Sequence, residues 1–252
     1  MTNYPTNVSD SQWQILSKYF DVKRKRKYDL QEIVNAIFYL VKSGCQWRLL
    51  PQDFAPWKSV NYYFTIWKEN GIYEMMQQDL VEMCREKVGK NVEPTAAIID
   101  SQSVKNTLVS AENKGFDAGK KIKGIKRHII ADTLGLLLAV VIQSASVQDR
   151  DGATEVIKVM QENWRKVIKI FADGGYRGKL IDAVKKQYNI VIEIIKRDEI
   201  KLFKILPKRW IVEKTFAWID TNRRASKNDE RKNDTAVAIV RLAAIRIMIN
   251  RF

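Results

Sequence analysis

The sequence has little of what a zinc protein or a disulfide-rich protein needs. It has two cysteines, Cys45 and Cys84, and its single histidine is His128. Two cysteines cannot form a zinc cluster by themselves, and one histidine leaves few options for a Ser-His-Asp hydrolase, so both classes are disfavoured. We expect both cysteines to be reduced and buried, which is the usual state of cysteine in the cytosol.

Long hydrophobic runs are also absent. The longest clear run, Leu134–Ile142, is well short of the roughly 18–20 residues that cross a bilayer. The first residues, Met1–Asn7, have neither the basic stretch nor the apolar stretch of a secretion signal. These features predict a cytoplasmic protein that does not span a membrane.

Acidic residues are scarce relative to basic ones. The chain has 29 Asp and Glu against 44 Lys and Arg, which gives a net charge of +15. A basic surface improves solubility, and it also suits a membrane surface, but a bias of this size more often marks a protein that binds nucleic acid. With 252 residues, 46% of them hydrophobic, the chain can build a substantial core.

The first part of the chain has the pattern of an all-helical domain, residues 1–90. Capping-box sequences at Ser9 and Asp29 open the first two helices, Gly44 ends the second, and Ser59 is placed to cap the third. Helices are predicted at 9–20, 29–44, 59–71 and 72–88.

A basic run separates the first two helices. Helices joined by such a loop suggest a DNA-binding domain of helix-turn-helix type, although the connection 44–57 is longer than the usual 3–4 residues. The alternative is a dimerisation or packing domain whose charges are merely solvated. The run consists of Lys23, Arg24, Lys25, Arg26 and Lys27.

Residues 94–252 have the pattern of a second domain. Three strands come first, and strands then alternate with helices, which predicts a mixed sheet with helices on its faces. The expected fold class is α/β (α+β): a ribonuclease-H-like mixed five-stranded sheet with flanking helices, preceded by the helical domain. Strands are predicted at 95–100, 128–131, 136–143, 167–172 and 190–195, and helices at 151–163, 178–188, from about 210, and at 235–251.

Three acidic residues stand where a metal-dependent nuclease needs them. Asp100 and Asp173 each close an apolar run that reads as a strand, and Glu213 lies on a later helix. In a sheet of this order the first and fourth strands are parallel neighbours, so both aspartates emerge at the same edge. Three such carboxylates can hold two Mg²⁺ or Mn²⁺ ions about 3.5–4 Å apart, which is the arrangement for phosphodiester chemistry.

The surroundings of these acids leave alternatives open. On the helix of Glu213, helical spacing puts Arg209, Asp220 and Arg224 on the same face, where arginine could hold a phosphate or form ordinary salt bridges. His128 suits either a phosphate contact or core packing. The run Asp149–Asp151 could supply a helix N-cap or another acid near the site.

Seven motifs together resemble the bacterial insertion-sequence transposases of the fifth insertion-sequence family, which is related to the fourth. The match extends from the first helix to about Glu230, and seven motifs in order make it specific. They are Gly44–Pro51, Asp53–Trp57, Asp100–Lys105, Phe116–Lys120, Lys123–His128, Phe171–Gly178 and Arg209–Trp218.

The resemblance implies a DDE transposase with a ribonuclease-H-like catalytic domain. Asp100, Asp173 and Glu213 would be the catalytic and metal-binding triad, and Arg209 would be the arginine that precedes the catalytic glutamate. Two positions depart from the pattern, because Leu206 replaces a tyrosine and Asp220 replaces a lysine. An acid at 220 would repel phosphate, so either DNA positioning falls to Arg223, Arg224 or Lys227, or activity is reduced.

The function that this resemblance implies is Mg²⁺-dependent cutting and strand transfer at the terminal inverted repeats of an insertion sequence. The protein would be nucleoid-associated and would act on terminal-repeat and target DNA as a homodimer. The alternatives are a ribonuclease-H-like nuclease with another substrate and a non-catalytic DNA-binding derivative. The predicted DNA contacts are Lys23, Arg24, Lys25, Arg26, Lys27, Lys120, Lys121, Lys123, Lys126, Arg127, Arg209, Arg223 and Arg224.

Overall fold

A computed structural model describes residues 4–110, 112, 114–195 and 208–252. These residues form nine α-helices and six β-strands. The helices are α1 (Asp10–Ser17), α2 (Leu30–Ser43), α3 (Trp57–Glu69), α4 (Ile72–Lys87), α5 (Asp149–Asn163), α6 (Lys179–Tyr188), α7 (Lys208–Asp220), α8 (Arg223–Ser226) and α9 (Asn233–Ile249). The strands are β1 (Ala96–Lys105), β2 (Gly115–Asp117), β3 (Ile122–Asp132), β4 (Leu137–Ser144), β5 (Lys169–Ala172) and β6 (Val191–Ile194).

The ends of the first helices follow local signals in the sequence. Ser9 forms the capping box of α1 with Gln12, and the Asp29 carboxylate accepts hydrogen bonds from two backbone N–H groups of α2. Gly44 ends α2 in the left-handed conformation, with φ of 71°. The prediction that Ser59 caps α3 is wrong, because the helix begins at Trp57 and the backbone N–H of Ser59 already donates to the carbonyl of Pro56.

The six strands form one mixed sheet. β1 pairs in parallel with β5, as predicted for the first and fourth expected strands, and it pairs antiparallel with β3 on its other side. β5 pairs in parallel with β6, whereas β2 and β4 both pair antiparallel with β3. The expected sheet had five strands. The sixth is the short β2, whose three residues carry no hydrophobic alternation.

The first strand is longer than predicted. β1 continues past Asp100 to Lys105, because each residue from Asp100 to Lys105 lies opposite a residue of β3. Asp100 therefore lies within the strand rather than at its end. It nevertheless lies beyond Ile98, the last β1 residue that pairs with β5. Relative to β5, Asp100 therefore lies at the sheet edge where the sequence predicts it. The architecture is ribonuclease-H-like: β1 to β4 come first in the chain, and helices then alternate with β5 and β6.

The N-terminal helices share a hydrophobic core with the sheet. Gln77 on α4 donates a hydrogen bond of 2.8 Å to the carbonyl of Leu137, and Arg85 on the same helix forms a buried ion pair with Asp132 at the end of β3. Helix α4 also packs along α9. The predicted boundary near residues 90–94 stays a prediction, but the two sides are joined by buried contacts. Among the described residues, no helix has the length and apolar character needed to cross a membrane.

Candidate active site

Asp100 and Asp173 lie level with each other at the edge where β1 and β5 diverge. The parallel register pairs Ala97 with Ile170 and Ile98 with Phe171, and the same register places Asp100 opposite Asp173. The Asp173 carboxylate accepts a hydrogen bond of 2.8 Å from the backbone N–H of Gly175, which fixes the side chain at the start of its turn. The sheet thus brings together two of the three predicted acids.

The environment of Asp100 is unfavourable for a carboxylate without a counter-ion. The pKa of Asp100 is raised to about 6, chiefly by burial, and the nearby charges of Asp173 and Asp149 contribute to the rise. The backbone N–H of Ser101, at 2.7 Å, and the ammonium group of Lys120 act in the opposite direction. A cation at this edge would relieve the repulsion between the acids.

Asp149 is a third acid at this edge. Ser101 donates its hydroxyl hydrogen to Asp149 at 2.7 Å, and the Lys126 ammonium lies 2.9 Å from the same carboxylate. A methyl group built on Gly175 would lie 3.1 Å from Asp173 Oδ1 and 4.0 Å from Asp149 Oδ2, so these two carboxylates flank one glycine. Burial raises the pKa of Asp149, but the hydrogen bonds from Ser101 and Lys126 outweigh burial and lower it overall.

The N-cap interpretation of Asp149–Asp151 is therefore wrong. Gln148 occupies the N-cap of α5 without a side-chain hydrogen bond, and Asp149 and Asp151 lie in the first helical turn. The other interpretation of this run, that it supplies another acid near the site, fits Asp149. Its position results from the packing of α5 on the sheet, which sequence spacing alone does not reveal.

Tyr176 supplies a buried phenol beside the same acids. Its side chain is completely buried, and its hydroxyl lies near the Ser101 side chain. Burial raises the pKa of Tyr176 well above its usual value, and the charges of Asp100, Asp149 and Asp173 raise it further. The hydroxyl is thus a neutral donor held among carboxylates.

Glu213 lies on the solvent-exposed side of α7. The helix is anchored by buried Val212 and by the Thr215 hydroxyl, which donates to the carbonyl of Gly135 at 3.0 Å. Glu213 and Asp220, seven positions apart, share one face of α7. Among the described residues, however, no three Asp, Glu, His or Cys side chains are grouped closely enough to hold a metal ion. Glu213 is therefore not part of a preformed cluster with the two aspartates.

Asp220 does not present a free negative charge. Gln102 of β1 donates a hydrogen bond of 2.7 Å to its carboxylate, and the Arg127 guanidinium lies 3.5 Å from it. Burial lowers the pKa of Arg127 to about 10, which leaves it charged at neutral pH, and Asp220 opposes that shift. The repulsion of phosphate that the sequence predicts at position 220 is thus offset by a buried arginine.

Three predicted DNA contacts are buried instead of exposed. Lys126 is held by Asp149 and Asp117, Arg127 lies beside Asp220, and Arg224 pairs with Glu230 at 2.7 Å. Lys126 and Arg127 are buried because β3 lies between β1 and β4 and is covered on both faces. Arg224 does not share the face of Glu213, because α7 ends at Asp220 and Arg224 belongs to α8.

The other predicted DNA contacts are largely exposed. Arg26 is the partial exception, because its guanidinium lies 3.6 Å from Asp21 and donates to the backbone of its own loop. The side chain of Arg209 lies outside the described residues, as does Leu206. The exposed residues are Lys23, Arg24, Lys25, Lys27, Lys120, Lys121, Lys123 and Arg223.

His128 belongs to the core. Its side chain is completely buried, and Gly152 of α5 packs directly against its ring, where an added methyl group would come within 2.3 Å. Burial lowers the pKa of His128 to about 4, so the ring is neutral at physiological pH. Of the two interpretations left open by the sequence, core packing is the one that fits.

The donor set at the edge suits a hard divalent cation. Asp100 and Asp173 offer carboxylate oxygens, which Mg²⁺ and Mn²⁺ prefer. Burial and like charge make Asp100 costly to ionise alone, and a bound dication would stabilise the ionised form. The residues therefore fit a metal-dependent reaction at this edge.

Comparison with known families identifies the chain. A family described as Transposase DDE domain matches residues 92–249, more than half of the chain. A transposase family of IS4/5 type matches residues 8–77, which cover α1 to α3 and the start of α4. A comparison with curated proteins found no match. The chain belongs to the DDE transposases of the IS4/5 insertion-sequence type, and it is accordingly a metal-dependent polynucleotidyl transferase or endonuclease.

Proposed function

We propose that this transposase binds the terminal inverted repeats of an insertion sequence, cuts the DNA at their ends and transfers the cut strands to target DNA. One observation carries the catalytic part of the proposal. The parallel pairing of β1 with β5 brings Asp100 level with Asp173 at an edge that also holds Asp149. Carboxylates concentrated at one edge of a strongly basic protein fit metal-dependent chemistry on a polyanion.

Asp100, Asp173 and Glu213 are the residues we assign to the metal, with Mg²⁺ or Mn²⁺ as the ion and two ions per site. When bound, the ions would activate a water or a 3′-hydroxyl and stabilise the leaving oxygen of the phosphodiester. The backbone N–H groups of Ser101 and Gly175 orient the two aspartates.

The helical N-terminal region is the part we assign to repeat recognition. Its basic loop borders a groove of about 480 Å³ that is also lined by Tyr62 and Tyr63 of α3. Arg24, Lys25 and Lys27 line the same groove and are exposed. A groove lined by lysine and arginine suits DNA, because these side chains neutralise phosphates.

A homodimer on DNA is the assembly we propose, because strand transfer requires two element ends in one complex. Each copy would hold one terminal repeat through its basic loop, and each would present one catalytic edge. Analytical ultracentrifugation with and without repeat DNA measures the assembly directly. A complex with one copy of the protein per pair of ends would contradict it.

The catalytic proposal is tested with DNA that carries the terminal repeats flanking the gene. We expect the purified protein to cut this DNA in the presence of Mg²⁺. The variants Asp100→Ala, Asp173→Ala and Glu213→Ala should bind the DNA and fail to cut it. Normal cutting by any of them would remove that residue from the triad, and binding without cutting by the wild-type protein would favour a non-catalytic derivative.

The recognition proposal is tested by the salt dependence of binding. Replacing Lys23, Lys25 and Lys27 together with alanine should weaken binding to repeat DNA and reduce the slope of log affinity against log salt by roughly 1 to 3. The control replaces Lys158, Lys185 and Lys186, which are exposed on α5 and α6. Equal slopes for the two triple variants would show that the loop has no special role.

A further inference from the structure

Lys120 places an exposed ammonium group beside the catalytic edge. Its Nζ atom lies 3.2 Å from the backbone carbonyl oxygen of Ser101, the residue that follows Asp100. The other nearby lysine, Lys126, is buried and is held by Asp149 at 2.9 Å and Asp117 at 3.5 Å. Lys120 therefore differs from Lys126, because solvent and ligands can reach it.

The turn before β3 fixes the backbone of Lys120. The Asp117 carboxylate accepts a hydrogen bond of 3.0 Å from the backbone N–H of Lys120, and Asp117 is itself held by the Ser103 hydroxyl and by Lys126. Burial raises the pKa of Asp117, but these hydrogen bonds and the charges of Lys126 and Lys120 hold it at about 2. The anchor of the turn is therefore ionised at every physiological pH.

The charge of Lys120 acts on the acids at the edge. It opposes the effect of burial on the pKa of Asp100, and it also lowers the pKa of Asp149. An ammonium group has three N–H donors, and the carbonyl of Ser101 uses one of them. The remaining donors are available to an anionic ligand at the same edge.

We propose that Lys120 binds a non-bridging oxygen of the phosphodiester that is cut at the Asp100–Asp173 edge. This inference rests on the proposed function, because it names a substrate contact within that site. A phosphodiester next to two carboxylates meets electrostatic repulsion, and a fixed cation beside the carboxylates offsets that repulsion. The turn holds the backbone of Lys120 in place beside this edge. Lys126 and Arg127, in contrast, are buried and form ion pairs with carboxylates of the protein itself.

The test measures cutting of repeat DNA at saturating DNA concentration. Lys120→Ala should lower kcat by about 10²–10³-fold, the range for removal of one group that stabilises a transition-state charge. The affinity for DNA should change much less, because one phosphate contact among many is lost. Lys120→Arg should restore part of kcat, since arginine retains the charge and also binds phosphate.

The matched control is Lys158→Ala, an exposed lysine nine positions from Asp149 along α5, or about 13 Å at the helical rise. It removes the same charge and should leave kcat unchanged. Lys120→Gln, which keeps most of the side-chain length, guards against a folding defect and should behave like Lys120→Ala. Thermal unfolding of each variant reports whether the fold is intact.

The outcomes separate this proposal from the function on which it rests. If Lys120→Ala and Lys120→Gln cut at the wild-type rate while Asp100→Ala is inactive, the assignment of Lys120 is overturned and the triad stands. If Asp100→Ala cuts normally, the proposed catalytic edge itself is wrong. A loss of kcat in both Lys120 variants, with partial restoration by arginine, supports the phosphate contact.

Discussion

Two aspartates on neighbouring strands of this sheet have opposite surroundings. Asp132, at the end of β3, is completely buried and accepts hydrogen bonds of 2.8 Å from the backbone N–H groups of Leu134 and Leu136. It also forms a buried ion pair with Arg85 of α4. Asp100 on β1 accepts a hydrogen bond from its own neighbour Ser101 and faces two other acids.

The difference separates a structural carboxylate from the one that we propose as a metal ligand. Burial raises the pKa of both residues, but around Asp132 the opposing groups are two backbone N–H groups and Arg85. Around Asp100 the nearby Asp173 and Asp149 add to the effect of burial. Asp132 therefore joins the N-terminal helices to the sheet. Asp100, in contrast, has an ionised form that a bound cation would stabilise.

The largest expected effect is the loss of DNA cutting in Asp100→Asn and Asp173→Asn. Each change keeps the size of the side chain and removes a charge that we propose binds the metal, so we expect kcat to fall by on the order of 10⁴-fold or more, at least about 5 kcal/mol of activation free energy. The measurement is the cutting rate with Mg²⁺. Thermal unfolding should show no loss of stability, since like-charge repulsion is removed, and a large loss would make these residues structural like Asp132.

The second effect concerns Arg85→Ala, which leaves Asp132 buried without its counter-ion. We expect the free energy of unfolding to fall by about 3–5 kcal/mol, the usual result of breaking a buried ion pair from one side. Urea unfolding measures the change, and Arg165→Ala, at an exposed position, is the control. A loss below about 1 kcal/mol would mean that Asp132 does not depend on Arg85.

The third effect is the acid sensitivity that His128 contributes. The pKa of His128 is about 4 in the folded chain because of burial, against 6.5 for an ordinary histidine, so the unfolded chain binds the proton first. Stability is therefore lost as the pH falls from about 6.5 towards 4, by up to about 3 kcal/mol. Because the chain has a single histidine, the difference between the pH profiles of the wild-type protein and His128→Gln isolates this contribution. Parallel curves of stability against pH for the two proteins would contradict this contribution of His128.

The smallest effect tests the contact between α2 and α8. Gly44 has φ of 71°, and an added methyl group would lie 2.9 Å from Cβ of Arg223, so Gly44→Ala combines backbone strain with a steric clash. The control is Gly89→Ala, because Gly89 has the same φ and no atom within 4 Å of the added group. We expect Gly44→Ala to be less stable than the control by about 1–2 kcal/mol in urea unfolding. Equal losses of stability in the two variants would mean that the contact between Gly44 and Arg223 accommodates the added methyl group.

The succession of helices and strands could be predicted from hydrophobic spacing and caps, but part of the sheet could not. The second half of β1, from Ser101 to Lys105, is polar and does not have the pattern of a strand. It is a strand because β3 pairs with it and because Asp149, Asp117 and Asp220 accept hydrogen bonds from its side chains. Such contacts between distant segments leave no local signal.

The candidate site was likewise predictable only in part. The order of strands was sufficient to predict that Asp100 and Asp173 share an edge. The positions of Asp149 and Lys120 beside that edge depend on how α5 and the turn before β3 pack, which spacing does not encode. Lys126 and Arg127 belong to a basic run that would ordinarily be solvated, and they are buried because β3 is central in the sheet.

The most direct test of the difference between the two aspartates is Mn²⁺ binding to the DNA-free protein, measured by electron paramagnetic resonance. We expect the wild-type protein and Asp132→Asn to bind Mn²⁺ alike under conditions where both are folded. Asp100→Asn should bind it at least about tenfold more weakly, because it lacks a carboxylate ligand. Equal Mn²⁺ affinity in Asp100→Asn and the wild-type protein would contradict the assignment of this edge as the metal-dependent active site.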